Sequence, residues 1–252
     1  MHVPKGPFTF GINDSIRIIN YDFWMMKYEV TNKLYFEFLA DYSRTDNKSI
    51  EVKDNKIIGP YEGDSIRPAG KYILKRLDKA IQFIDGKFFL DSNFSNHPVV
   101  GMTWFGANIF CDFYQYQLPD RYEWEKAARG MTGNNYPWGD SLFVNAANFH
   151  NSGDPFDNGT TPTGYYDGEI KNGYQTIDNK SPFGCYDMAG NAWEYTNSNL
   201  IEGRSYLEGA GGGYLYHSGA MCQSWYFSIV GNEDSSKIDR GFISDGFRCL
   251  IK

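Results

Sequence analysis

The stretch that decides the fold lies in the last third of the chain, where residues 183–195 read FGCYDMAGNAWEY. GGGYLYHSGAMCQSW follows at 211–225, and GFRC stands at 246–249. From residue 131 onward there is almost no helical periodicity, and Gly, Asn, Asp and Tyr separate short apolar runs. This pattern predicts a half built of ordered loops and short strands. The strands are expected near 192–197, 212–216, 223–229 and 246–251.

Upstream of this region, three helices are predicted from their start and stop signals. Thr31 is expected to cap the first helix, since apolar residues at helical spacing follow it, and Thr103 to cap the second. Asp120 and Glu123 fit a capping box at the start of the third, and Gly130 occupies the position of a C-terminal cap. The sequence therefore places its helices before residue 131.

Short strands are expected around these helices. Residues 2–30 alternate in short apolar runs, which predicts two or three strands. IQFIDGKFFL at 81–90 predicts a hairpin that turns at Asp85 and Gly86. Residues 45–80 are polar and interrupted by glycine, and we expect an irregular excursion there. With no linker or repeat, residues 1–252 are expected to form one domain.

Composition excludes several functional classes. Hydrophobic residues make up 41% of the 252 residues, enough for a sizeable core. The formal net charge is −7 and no basic stripe appears, which argues against a nucleic-acid partner. No apolar run approaches the roughly 18 residues of a membrane helix, and no signal peptide is evident at the N-terminus. Membrane insertion is therefore not expected, and the cellular compartment stays open.

Five further blocks occur in a recognisable order: VPKGPFTFG, KYEVTNKLYFEFL, the stretch from 97 to 130, YPWGD at 136–140 and AANF at 146–149. Together with the C-terminal segments, they resemble the formylglycine-generating enzyme family, also called the sulfatase-modifying factor domain. The resemblance covers nearly the whole chain. It implies an α+β, C-type-lectin-like fold that is rich in loops, with small twisted antiparallel sheets and about three helices.

The resemblance also implies two calcium sites. Calcium takes six to eight oxygen ligands, which loops rich in Asp, Asn and Gly supply. In the first site the side chains of Asn148 and Asp154 would bind, with the carbonyls of Phe149 and Phe156. The second site would use four residues of DMAGNAWE, the side chains of Asp187 and Glu194 and the carbonyls of Gly190 and Ala192. Without the resemblance, the same acids could simply cap turns.

The catalytic residues of the family are incomplete in this chain. The family enzyme oxidises a sulfatase cysteine to formylglycine with two cysteines that bind copper(I) as thiolates, soft ligands that this metal prefers. Here Tyr216 falls on the first cysteine, and Met221 or Cys222 falls on the second. His217 is the other candidate ligand for a metal. We therefore expect a non-catalytic domain, a pseudoenzyme. The alternative is a copper- or iron-dependent oxidase or oxygenase that uses O₂ on a thiol substrate.

The stretch from Tyr206 to Phe227 is rich in aromatic residues, and it lies where the family carries its substrate groove. Tyr and Trp side chains are typical of binding surfaces, so we expect a protein or glycan ligand to bind here. The layout also resembles the variable proteins of diversity-generating retroelements; the alternative is that these aromatics fill the core. The candidate ligand-binding residues are Tyr206, Tyr214, Tyr216, His217, Ser218, Trp225 and Tyr226.

The four cysteines carry no zinc or CxxC spacing. Cys111 and Cys249 correspond to a pair that some family members join as a disulfide, and two buried free thiols are the equal alternative. Cys185 is expected to pack in the core.

Overall fold

A computed structural model describes residues 1–45, 49–64, 69–156, 158–197, 206–215, 219–232 and 243–252, and within them the side chains other than those of 206 and 229–232. The described helices are α1 at Asn32–Tyr42, α2 at Trp104–Phe113 and α3 at Arg121–Arg129.

Each helix begins at the residue that the sequence predicts. The Thr31 hydroxyl accepts from the backbone N–H of Leu34 at 3.3 Å, and Thr103 accepts from that of Gly106 at 3.2 Å. The third helix has the full capping box: the Glu123 N–H donates to Asp120 at 2.8 Å, and the Asp120 N–H donates to Glu123 at 2.9 Å. These caps satisfy N–H groups that a helix start otherwise leaves unbonded.

The strands are short and, in the described residues, pair into six small sheets. Their bounds are β1 His2–Val3, β2 Gly6–Phe10, β3 Ser15–Ile19, β4 Phe23–Met25, β5 Glu51–Lys53, β6 Lys56–Tyr61, β7 Gly70–Arg76, β8 Ile81–Ile84, β9 Lys87–Leu90, β10 Ile170–Lys171, β11 Tyr174–Gln175, β12 Trp193–Tyr195, β13 Tyr206–Ala210, β14 Phe227–Asn232, β15 Asp245–Gly246 and β16 Leu250–Ile251.

Two sheets organise the C-terminal half. One has the order β14-β13-β12-β15, with β12 and β15 parallel and the other pairs antiparallel. The other has the order β1-β4-β16, so the first and last strands of the chain flank β4. The WEY and GFRC segments are thereby held side by side, because Trp193 pairs with Asp245 and Glu194 pairs with Gly246.

The core consists of three clusters of buried side chains. The largest joins α1, α2 and the β6–β7 hairpin, and within it Phe110 packs edge-on against Phe38 and Phe247. A second surrounds Trp124 of α3 and includes Cys185. The third is small and lies under the loops: Tyr136, Ala147, Phe149, Ala189 and Cys222.

The structure of residues 45–80 differs from the expected one, whereas the neighbouring hairpin at 81–90 agrees with it. Instead of an irregular excursion, the described part of 45–80 forms a three-stranded antiparallel sheet in the order β5-β6-β7. Gly59 interrupts the apolar pattern of β6, yet the missing side chain leaves room for Leu74, whose Cδ1 would lie 2.7 Å from an added Cβ. The hairpin predicted at 81–90 is confirmed, with Asp85 and Gly86 at φ of 49° and 79°.

The strand predicted near 212–216 is wrong over its described part, 212–215. The strand lies upstream, at Tyr206–Ala210, and the chain turns sharply after it. Gly211 and Gly212 have φ of 84° and 72°, left-handed values that end an extended run. In the part of the chain that the structure describes, we find no helix with both the length and the apolar character needed to cross a bilayer.

Candidate functional site

The C-terminal segment that aligns with the family's cysteine motif follows the turn at Gly211–Gly213. Tyr216, His217 and Ser218 lie outside the described residues, as does the side chain of Tyr206. The backbone N–H of Tyr214 donates to the carbonyl of Asn191 at 3.1 Å, which ties this segment to the DMAGNAWE loop.

Cys222 lies in the third core cluster with Tyr136 and Phe149 and is fully buried. Burial raises the pKa of its thiol to about 12, and a backbone hydrogen bond from Gly190 only partly opposes this effect. A thiolate is the form that binds a soft metal or attacks a substrate. Cys222 is therefore placed as a packed core residue, in surroundings that disfavour the thiolate.

The aromatic residues of the segment divide into buried and half-buried ones. Tyr214 is buried, and its hydroxyl donates to the carbonyl of Ile243 at 3.2 Å. Trp225 and Tyr226 are half-buried. The Trp225 indole N–H donates to Asn135 Oδ1 at 3.0 Å, and the ring centroid of Tyr226 lies 6.2 Å from that of Trp193. Trp225 and Tyr226 thus keep part of their surface in solvent while their remaining contacts hold them in place.

The loop predicted to form the first calcium site contains a buried carboxylate. Asp154 is 3% exposed. Its carboxylate accepts hydrogen bonds from the Ser152 hydroxyl at 2.7 Å, the Tyr166 hydroxyl at 2.9 Å and the Phe156 N–H at 2.7 Å. Burial and this carboxylate together raise the pKa of Tyr166. Asp154 does cap a turn, as the alternative interpretation expects.

The other groups of this loop already have partners but keep acceptor capacity. The amide nitrogen of Asn148 donates to the Gly159 carbonyl at 2.9 Å, so its oxygen is the atom that it offers to a cation. The carbonyls of Phe149 and Phe156 each accept one N–H, from Ser152 and Gly159, and a carbonyl has a second lone pair. No ion pair to Asp154 occurs within the described ranges, so the donor set fits a hard cation.

The loop predicted to form the second calcium site contains an ion pair that was not predicted from the sequence. The Arg248 guanidinium binds both oxygens of Glu194, with Nη2 to Oε1 at 2.6 Å and Nε to Oε2 at 2.7 Å. The Trp124 indole N–H donates to the same carboxylate at 2.7 Å. Asp187 accepts from the Gly164 N–H at 2.5 Å and from the Asn179 amide at 3.2 Å. Burial opposes the charge of Arg248, but Glu194 raises its pKa.

A third buried carboxylate, Glu29 in the KYEVTNKLYFEFL block, was also not predicted from the sequence. It is 1% exposed, and its Oε1 has no hydrogen-bond partner among the described residues. Burial, and then the charges of Asp187 and Glu194, raise its pKa well above the usual value. Its Oε2 accepts from the Asn191 amide at 3.3 Å, and Asn191 Oδ1 accepts from the Asn148 amide at 3.3 Å. The two predicted calcium loops are thus joined through Asn191.

The negative charges around the second loop favour a bound cation, but its side chains are not grouped as metal ligands. Among the described residues, the buried carboxyl groups of Glu29, Asp187 and Glu194 share the electrostatic influence of the Arg248 guanidinium, and Oε1 of Glu29 has no hydrogen-bond partner there. However, across the described residues no three His, Cys, Asp or Glu side chains are grouped closely enough to hold a metal ion. A calcium ion here would have to take most of its ligands from carbonyls, as the resemblance implies for Gly190 and Ala192.

The other cysteines are buried free thiols, including Cys111 and Cys249. Burial, and then a hydrogen bond with Cys249, raise the pKa of Cys111. Cys185 packs in the second core cluster, as expected.

Comparison with known proteins fixes the family. The model of the sulfatase-modifying factor enzyme 1-like domain matches residues 1–252. The chain belongs to this family. Among relatives of known name, the formylglycine-generating enzyme of Mus musculus is 26% identical over 229 residues, which are 77% of this chain and 56% of that protein. The inactive C-alpha-formylglycine-generating enzyme 2 of Bos taurus is 29% identical over 165 residues, 60% of this chain and 49% of that protein.

A relative of another kind is the serine/threonine-protein kinase pkn1 of Chlamydia caviae, 34% identical over 124 residues, or 49% of this chain. The match spans only 17% of that protein. The solved structures of CarF and of PvdO from Pseudomonas aeruginosa align over 99% of this chain and 96% and 92% of theirs, with TM-scores of 0.61 and 0.62. At 19% and 17% identity they establish the fold alone. The predicted α+β, C-type-lectin-like fold with small antiparallel sheets is confirmed.

Proposed function

We propose that this chain is a non-catalytic, calcium-stabilised ligand-binding domain of the formylglycine-generating enzyme family. The observation that carries the proposal is the state of the cysteine pair. Tyr216 stands where the first cysteine belongs, and Cys222 is buried with a pKa of about 12. A linear copper(I) site needs two accessible thiolates. A relative that carries the name of an inactive enzyme fits this proposal.

The test of the missing activity is direct. The protein is incubated with copper(I), O₂ and a peptide that carries the sulfatase-type cysteine, and the peptide is analysed by mass spectrometry for the aldehyde. We expect no aldehyde, while a formylglycine-generating enzyme run in parallel gives it. Turnover by this chain would overturn the proposal. An X-ray fluorescence scan of the purified protein adds a second measurement, since copper or iron would favour the oxidase alternative.

Ligand binding is proposed to use the C-terminal loop surface, and its target is a protein or a glycan. Trp225 and Tyr226 support this because each is half-buried and anchored by its neighbours, Asn135 and Trp193. Rigid aromatic side chains offer a large contact area at low cost in entropy. Tyr214 is assigned a different role, since its buried ring and its hydrogen bond to Ile243 support the loop from beneath. Tyr206, Tyr216, His217 and Ser218 remain proposed members of the surface.

A matched pair of variants tests this assignment. Binders are selected from a random peptide library and from a glycan array, and their affinities are measured for Tyr226→Ala and Tyr214→Ala. We expect Tyr226→Ala to weaken binding by about 2 kcal/mol with little change in stability. Tyr214→Ala should instead cost stability, on the order of 3 kcal/mol, because it empties a buried site. If Tyr226→Ala unfolds the protein and leaves binding per folded molecule unchanged, Tyr226 is a core residue and the surface proposal is wrong.

A further inference from the structure

The sheet of β5, β6 and β7 carries a row of three basic side chains, one from each strand. Lys53 pairs directly with Lys56 across the turn, and Lys56 pairs directly with Arg76. Directly paired residues project from the same face of a sheet. The next pair along, Ile57 and Lys75, is buried, so the row occupies the face turned away from the core.

Three basic side chains placed next to one another destabilise the sheet unless an anion binds against them. Like charges directly opposite each other on paired strands are destabilising. Within the described part of the chain, Lys53, Lys56 and Arg76 make no ion pair, although the chain as a whole carries a net charge of −7. Strands lie about 4.8 Å apart, so the row spans roughly 10 Å. That length suits an elongated anion with several charges better than a single small ion.

The acids nearest to the row do not neutralise it. Asp78 is already satisfied, since Lys75 Nζ lies 2.6 Å from its carboxylate and the N–H groups of Ala80 and Ile81 donate to it at 2.9 Å. Asp54 lies in the turn between β5 and β6, where its φ of 49° and the 61° of Asn55 are typical of a two-residue hairpin turn. Glu51, two residues before Lys53 on β5, pairs with Lys71 at 3.5 Å. Asp54 in the turn is then the further carboxylate beside the three cations Lys53, Lys56 and Arg76.

Arg76 marks the point where the row meets a cleft of about 240 Å³. Lys79 also lines this cleft, with its ammonium 4.2 Å from the ring centroid of Phe94. The rest of the lining mixes apolar residues, among them Leu77, Pro98, Val100 and Ile243, with polar residues that include the acids Asp54 and Asp78. Asn32, another lining residue, is 3% exposed, and its side-chain oxygen has no hydrogen-bond partner among the described residues. Tyr214 forms part of the wall, so the cleft adjoins the proposed C-terminal surface.

We propose that the basic row and this cleft bind an acidic peptide segment in which carboxylates alternate with apolar side chains. The carboxylates would lie along Lys53, Lys56 and Arg76, and an adjacent apolar side chain would enter the cleft beside its apolar residues Leu77, Pro98 and Val100. The cleft is small for a drug-sized ligand but has room for a single side chain. This inference rests on the proposed ligand-binding function and names the chemistry of the partner.

The test measures the fluorescence anisotropy of a labelled peptide of alternating Glu and Leu with the full chain. A Lys–Leu peptide of the same length and a single-stranded oligothymidine serve as the other probes. We expect the Glu–Leu peptide alone to bind, and its affinity to fall as salt rises to about 0.15 M. Arg76→Gln and Lys56→Gln should each weaken binding roughly fivefold. Lys87→Gln, which removes an exposed lysine of the β8–β9 hairpin, should change nothing.

The melting temperature provides the check on folding. Arg76→Gln should leave it unchanged or raise it, because the substitution removes a like-charge pair. Equal binding by wild type and Arg76→Gln would overturn the proposal, as would binding of the Lys–Leu peptide. Tight binding of oligothymidine would make the row a nucleic-acid site instead. If Tyr226→Ala abolishes binding while Arg76→Gln leaves it unchanged, the peptide binds the C-terminal surface and the proposal for the basic row is wrong. If Arg76→Gln weakens binding while Tyr226→Ala leaves it unchanged, the peptide binds the basic row and not the C-terminal surface.

Discussion

Replacing Arg248 by Met is expected to destabilise the protein more than replacing its partner Glu194 by Gln. Arg248 is fully buried and is bonded to Glu194 through two hydrogen bonds of 2.6 and 2.7 Å. It also donates to the carbonyl of Tyr186 at 2.9 Å. Its loss would leave Glu29, Asp187 and Glu194 buried without the guanidinium whose positive charge favours their ionised forms. The loss of Glu194 leaves Arg248 with the other two carboxylates nearby.

The magnitudes follow from that asymmetry. Removing one partner of a buried ion pair costs about 3–5 kcal/mol, and we place Arg248→Met at the upper end because three carboxylates lose their counter-charge. Glu194→Gln keeps an acceptor oxygen for the guanidinium and should cost about 1–3 kcal/mol. For a domain of this size each kcal/mol lowers the melting temperature by roughly 2–4 °C. The two variants should therefore differ by several degrees.

The assay is urea unfolding of both variants and wild type at neutral pH, with chelator present so that bound calcium does not add to stability. The cost of Arg248→Met should shrink as the pH falls, because protonation removes the unpaired charges, and burial already raises the pKa of Glu29 and of Asp187. Equal costs for the two substitutions, or a larger cost for Glu194→Gln, would refute the argument that the carboxylates share one cation.

Three further predictions follow from the loops, the third helix and the domain boundaries. Calcium should raise the melting temperature of wild type in a concentration-dependent way; Asp154→Asn should reduce that shift, and a melting curve unchanged by chelator would contradict the first site. Burial raises the pKa of Glu125 in the folded state to about 7, against the attraction of Arg129. As the pH rises from about 4.5, the Glu125 carboxyl therefore ionises in the unfolded state before it ionises in the folded state. The stability of wild type relative to Glu125→Gln should therefore fall between about pH 4.5 and 7 and level off above, and a difference that is constant with pH in chemical denaturation would count against this effect. We propose that residues 1–252 form one domain, so limited proteolysis should not yield two fragments that each melt cooperatively.

Features with a local signature were predictable from the sequence, and features that depend on distant partners were not. Thr31, Thr103 and Asp120 cap helices a few residues away, so their signal lies within one short window. Arg248 and Glu194 are 54 residues apart, and nothing in either neighbourhood indicates that they meet. Glu29 accepts a hydrogen bond from the side-chain amide of Asn191, which lies 162 residues away in the sequence. The strand β6 escaped because Gly59 and Pro60 resemble loop residues, although the packing of Leu74 against Gly59 requires the missing side chain.

The sheet of β1, β4 and β16 has a consequence for the order of folding. Because β4 pairs on one edge with β1 and on the other with β16, this sheet closes only when segments far apart in the sequence meet. Leu250 and Ile251 must find Met25 and Trp24 as their partners. Contacts between such distant segments carry a high entropic cost of loop closure and slow the final folding step. Until residues 245–251 have paired with β12 and β4, the aromatic core around Phe247 therefore stays only partly formed.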